Sequence, residues 1–216
     1  MQNIHWRPYP LAKKGEPFPK LIHDLKGSNF IQKMSSTPFI LAGGGHIRDI
    51  ETLERALLQL PKEFKTPFVI FGPIAPSHSH HVPVFYKESL TLDEYLQTAQ
   101  HCLFSVIPLR DTPSKAAGIS LMSASIINGR PVIATATKSA MDHLEDGVDS
   151  IFVEEQSIED LQQAILRLAF DKDLRQELSA GAQRNSKTVS VREWASEIVD
   201  GCPARRQKLK RRWKSW

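Results

Sequence analysis

Residues 102–153, CLFSVIPLRDTPSKAAGISLMSASIINGRPVIATATKSAMDHLEDGVDSIFV, read as strand, loop, helix, strand, helix, strand, and that alternation decides the fold. The apolar run Leu103 to Leu109 has the length of a buried strand. After a polar loop, Ala116-Ala117-Gly118 brings the backbone to a helix start at Ile119-Ser120. A helix N-terminus carries partial positive charge and N–H groups without intrahelical partners, and a small residue lets an anion come close. Such a turn suits a phosphate. It also suits nothing more than a change of direction, and both readings stand at this point.

Working outward, the same alternation continues. Thr37 to Ala42 is a buried strand, Gly43-Gly44-Gly45 follows it, and the helix Arg48 to Leu60 sets Ile50, Leu53, Leu57 and Leu60 on one face. Thr66 to Gly72 is a second strand, Val82 to Tyr86 a short third, and Thr91 to Ala99 a helix. Beyond Val153 come helices over Ser157 to Phe170 and Lys172 to Asn185, then Val191 to Val199. Ser157 with Asp160 matches an N-cap followed by a first-turn acid. Five or six strands alternating with helices predict an α/β fold: a doubly wound, mainly parallel Rossmann-like sheet with C-terminal helices. The expected organisation is an irregular lead-in or linker over 1–36, which holds four prolines and no sustained period, then one domain over 37–203 and a basic tail over 204–216.

Composition bounds the function. The 216 residues, 41% of them hydrophobic, suffice for a core. The net charge of +4 hides an asymmetry: residues 205–216, RRQKLKRRWKSW, hold seven Lys and Arg and no acid, so the preceding residues carry about −3 in sum. A mildly acidic body without a basic stripe argues against nucleic acid as a partner. The tail, with Trp213 and Trp216, fits either an anionic membrane surface or a solvated end. Two cysteines, Cys102 and Cys202, suit a reducing cytoplasm better than a disulfide framework. No zinc-type spacing occurs, and no apolar run approaches the ~20 residues a spanning helix needs. The expected location is therefore the cytoplasm, with association at the inner membrane face if the tail binds lipid.

Candidate binding residues cluster at strand ends. Gly44 and Gly45 permit close backbone approach at the carboxyl end of a strand, where open α/β sheets take ligands. Arg48 offers bidentate guanidinium chemistry to a phosphate; the competing reading makes it a surface residue of the first helical turn, paired with Glu51 or Glu54. Lys115 stands in the loop before Gly118, either cradling phosphate or keeping the loop soluble. His78, His80 and His81 permit metal capture, but no Asp, Glu or Cys nearby completes a ligand set. Glu154 and Glu155 are adjacent and so point to opposite faces, which defeats a shared acid–base site. Ser120 and Ser123 lack a G-x-S-x-G elbow and a neighbouring histidine, so no hydrolase triad is implied.

The segment resembles the C-terminal half of GT-B glycosyltransferases of the large retaining "group 1" family. Their pattern, a Pro-containing strand end, an S-x-A-G-x-x-S-like loop and E-A-M-A-x-G-x-P-V-I-A-T, is matched by Pro108, Ser114, Ala117, Gly118, Gly129, Pro131, Val132, Ile133, Ala134 and Thr135. Asp142 to Gly147 resembles the family's D-Y-I-x-D-G, and Ser157 to Ala169 its amphipathic helix. Gly43-Gly44-Gly45-x-x-Arg48-Asp49 resembles the first loop of a subgroup that carries G-x-x-x-R-D. The resemblance spans about residues 37–200. It implies a donor-binding half that holds a nucleoside-diphosphate sugar as substrate, without cofactor or metal, through Gly44, Gly45, Arg48, Lys115 and the helix start Gly118-Ile119-Ser120. Phe85, with Tyr86 and Lys87, is implied near the base. Activity in cell-envelope or exopolysaccharide synthesis would then require an acceptor domain on a partner chain. The chain departs from the family at two glutamates, which fall on Ala124 and Ala116. Neither alanine side chain accepts a hydrogen bond, and this favours the alternative of a non-catalytic binding or scaffold subunit.

Overall fold

The computed structural model describes residues 38–44, 47–73, 81–110 and 117–186. Six short strands, β1 (Ile40–Gly43), β2 (Phe68–Phe71), β3 (Val84–Lys87), β4 (Ser105–Ile107), β5 (Val132–Thr135) and β6 (Ser150–Val153), form one sheet in the order β3-β2-β1-β4-β5-β6. Every pairing is parallel, so this is the doubly wound Rossmann arrangement with its order reversing between β1 and β4.

Why these residues make strands follows from burial on both faces. Parallel sheets are covered on either side, so their strands read as continuous apolar runs rather than alternating ones. Side chains still alternate by position. Ile40 and Ala42 of β1, Val106 of β4 and Ile133 of β5 join one apolar cluster, while Leu41, Ile107, Val132 and Ala134 join the other.

The first cluster is closed by α1 (Ile50–Leu58) and α5 (Ile158–Phe170) through Leu53, Leu57, Ile165 and Leu168, with Leu178 of α6 (Lys172–Ser186). The second is closed by α2 (Leu92–His101) and α3 (Ile119–Ile127), through Ala99, Leu121, Met122 and Ile126. A single turn, α4 (Lys138–Met141), lies between β5 and β6. Fully burying one such aliphatic side chain contributes roughly 1.5–3 kcal/mol, so the two clusters carry the domain.

The helix ends are set chemically. Thr91 and Glu94 form a reciprocal capping box at α2, and Ser157 accepts from the Asp160 amide at α5, as its sequence predicts. At α1 the expected start moves. Asp49, not Arg48, marks the boundary: its carboxylate accepts from the Thr52 amide at 3.3 Å and from the Thr52 hydroxyl at 2.7 Å. The helix therefore begins at Ile50, and Arg48 is left outside it. The predicted lead-in, the basic tail and the helix over 191–199 lie outside the described residues. Among the described residues, no helix is long and apolar enough to cross a membrane.

Candidate functional site

In a doubly wound sheet, crossovers leave the two central strands toward opposite faces and open a crevice at their carboxyl ends. Here those strands are β1 and β4. Each is followed by one of the glycine-bearing turns, so strand order brings together two segments that are distant in sequence.

Arg48 lies between them. It is only 6% exposed, and its Nε donates to the Gly43 carbonyl at 2.7 Å. Gly44 has φ +130°, and an ideal Cβ placed there would stand 2.5 Å from Arg48 Nη2 and 2.6 Å from its Nε. At Gly118, φ +83°, the same atom would stand 3.3 Å from Nη1. The guanidinium thus packs directly on Gly44, where only a residue without a Cβ leaves it room, and its Nη1 lies close to Gly118. The picture of a solvent-facing first-turn arginine gives way to a buried one folded back over its own loop. Glu51, on that first turn, reaches Arg55 at 2.7 Å and Arg110 at 3.8 Å.

Gly118 is also the N-cap of α3. It supplies no side-chain hydrogen bond to the helix, while its carbonyl accepts from Leu121 and Met122. The first-turn residues Ile119 and Ser120 are half-buried beside it. A guanidinium and a helix N-terminus facing one crevice make an environment of positive potential suited to an anion with two adjacent charged groups.

The backbone around Arg48 is stitched across the switch point. Asp49 donates its amide to the Pro108 carbonyl at 3.0 Å and Arg110 donates to Ile47 at 3.2 Å, so Arg48 and Leu109 face each other in a short antiparallel bridge. Leu109 in turn donates to Thr135 Oγ1 at the end of β5, at 2.8 Å. Ser139 of α4 donates to the Ala117 carbonyl at 3.0 Å and steadies the approach to Gly118. Arg110 reaches Asp49 Oδ1 at 3.4 Å from a half-exposed position. None of Thr135, Ser139, Leu109 or Arg110 is marked by residue type as a site residue, because each acts through backbone or through a partner far along the chain.

Gly44, Arg48 and Gly118 are thus brought together at the carboxyl ends of β1 and β4, with Ile119 and Ser120 next along the chain, while Gly45 and Lys115 lie outside the described residues. Phe85 stands apart. It sits in mid-β3, paired with Val69, half-buried against the second cluster, two strands and so about 10 Å from β1. Its neighbours face inward: the Tyr86 hydroxyl donates to the Gly72 carbonyl, and Lys87 Nζ meets Glu94 Oε1 at 2.5 Å. Burial, and then the charge of Glu88, push the Tyr86 phenol up to about 12. Ala124 is buried in the second cluster; Ala116, His78 and His80 lie outside the described residues. His81 is exposed with its Nε2 3.2 Å from the Pro61 carbonyl, and among the described residues no group of three potential metal ligands forms. Glu154 and Glu155 are exposed just past β6.

No family model matches the sequence, and no curated protein matches it. Its fold does match solved structures. TarM aligns at TM-score 0.59 and 21% identity, over 74% of this chain and 34% of TarM. HepE from Anabaena, in complex with UDP and glucose, aligns at 0.61 and 15%, over 82% of this chain and 52% of HepE. The C-terminal domain of the group 1 family glycosyl transferase LpcC from Francisella tularensis aligns at 0.60 and 12%, over 76% of this chain and 92% of that domain. The chain has the fold of the C-terminal domain of GT-B glycosyltransferases, and spans about a third to a half of the length of TarM and HepE.

Proposed function

We propose that the chain binds a nucleoside diphosphate, and the sugar conjugate that carries it, at the crevice between β1 and β4. The observation that carries this reading is the Arg48 guanidinium held between Gly44 and Gly118, beside the N-terminus of α3. The diphosphate sits against that guanidinium and the amides of Ile119 and Ser120, and Gly45 and Lys115 are proposed as further contacts to it. HepE, a structural neighbour, holds UDP and glucose, which supports this ligand class.

In a complete transferase the same groups would stabilise negative charge on the departing diphosphate. A preorganised cation and helix N-terminus are worth more there than in water, because they need no reorganisation as charge develops. The chain is then the donor half of a glycosyltransferase for envelope or exopolysaccharide synthesis. An acceptor domain on a partner chain completes the cleft, and residues 205–216 hold the chain to an anionic membrane. A second reading is favoured by Ala124, an apolar, buried residue on α3: the chain binds the nucleotide without transferring sugar.

Calorimetric titration of the full chain with UDP and UDP-glucose tests the core of this proposal. Binding in the micromolar to millimolar range, about −8 to −4 kcal/mol, is expected and should persist in EDTA. Absence of binding up to several millimolar overturns it, and loss of binding on chelation overturns its metal-free form. Turnover from the chain alone would contradict the need for a partner domain.

A further inference from the structure

We propose that Thr135 is a positioning residue for Arg48, acting through the backbone of Leu109; this rests on the diphosphate reading of the crevice. Arg48 and Leu109 are opposed across a two-residue antiparallel ladder whose hydrogen bonds run from Asp49 to Pro108 and from Arg110 to Ile47. In such a ladder the residue opposite Arg48 is a non-hydrogen-bonded pair member, so its own N–H points away from the ladder. The Leu109 amide does so and ends on Thr135 Oγ1 at 2.8 Å. Leu109 is fully buried and Thr135 is 3% exposed, so bulk water does not stand in for that acceptor.

The consequence is a three-strand clamp. β5 holds the segment after β4 through the Thr135 hydroxyl. That segment holds residues 47–49 through two backbone bonds, and those residues carry the guanidinium that packs on Gly44 and Gly118. A single hydroxyl on the third strand therefore fixes the depth at which Arg48 enters the crevice.

The test uses the full chain with UDP and inorganic pyrophosphate as probes, uridine as a control, and circular dichroism melting in parallel. Thr135→Val keeps the shape and removes the acceptor, leaving the Leu109 amide buried without a partner. It is expected to raise Kd for UDP and pyrophosphate about fivefold to tenfold, with the weaker uridine interaction unmoved. Thr135→Ser keeps the hydroxyl and should restore wild-type affinity. If the valine variant melts below the assay temperature, Thr135→Ala measured at low temperature takes its place, with the same expectation. Wild-type affinity in both the valine and alanine variants overturns the inference, as does an equal loss in serine and valine. Failure of the wild-type chain to bind either probe overturns the diphosphate reading itself, and this inference with it.

Discussion

Replacing Gly44 with alanine gives the sharpest test of the crevice, because the added methyl meets the proposed anion ligand rather than the core. Two costs arise. At φ +130° an L-residue is strained, at roughly 1–3 kcal/mol. The new Cβ would also lie 2.5 Å from Nη2 and 2.8 Å from Cζ of Arg48, about 1 Å inside the 3.5–4.0 Å optimum for non-bonded atoms. The guanidinium must withdraw by about that distance, and in doing so it gives up the 2.7 Å bond to the Gly43 carbonyl. A hydrogen bond to a charged group is worth about 1.5–3 kcal/mol. If the displaced arginine loses a contact of that size to the ligand, UDP affinity falls about tenfold to a hundredfold. The backbone strain would show separately as a melting temperature lowered by roughly 2–4 °C per kcal/mol for a chain of this size. Calorimetry with UDP and with uridine, alongside thermal melting, reads both effects. Gly118→Ala is the companion: its Cβ would press on the flexible Met122 Cε at 2.7 Å and only lightly on Arg48 Nη1 at 3.3 Å, so its effect on UDP should be smaller. Unchanged UDP affinity in Gly44→Ala, or a larger loss in Gly118→Ala, would refute the geometry proposed for the anion.

Three further outcomes follow from the same structure. Arg48→Ala should weaken UDP by about 1.5–3 kcal/mol while leaving uridine and the circular dichroism spectrum unchanged; equal loss for both ligands would make Arg48 purely structural. Tyr86, with its phenol raised from 10.0 to about 12, is neutral in the folded chain over a range where the unfolded chain ionises. The stability it contributes is full below pH 10 and is lost as the pH rises from 10 toward 12, a decline that Tyr86→Phe should flatten in alkaline urea titrations. Cys102 is fully buried, and burial pushes its thiol up to about 11, so in a Cys202→Ser variant it should resist alkylation at pH 8 until denaturant is added; rapid labelling of the native chain would contradict its place beneath α2 and β4.

Much of the architecture is legible along the chain because it is local. ILAG and FVIF, and VIAT up to its terminal Thr135, are apolar on successive residues, as strands covered on both faces are. Ser157, with an acid three residues on at Asp160, announces the helix that starts at Ile158. The glycine turns after β1 and β4, and Arg48 itself, stand out in the sequence as candidates for phosphate binding. The sequence does not contain the order of the strands, and that order makes β1 and β4 neighbours, so two separate turns become one crevice. Nor does residue type tell whether Arg48 faces water or lies buried, since the Asp49 cap starts the helix at Ile50, two residues later than expected, and leaves Arg48 outside it. The contacts that hold the crevice join Asp49 to Arg110 across 61 residues and Leu109 to Thr135 across 26. Periodicity and capping act within a few residues along the chain, so pairings at such separations arise only when the sheet closes and buried amides must each find an acceptor.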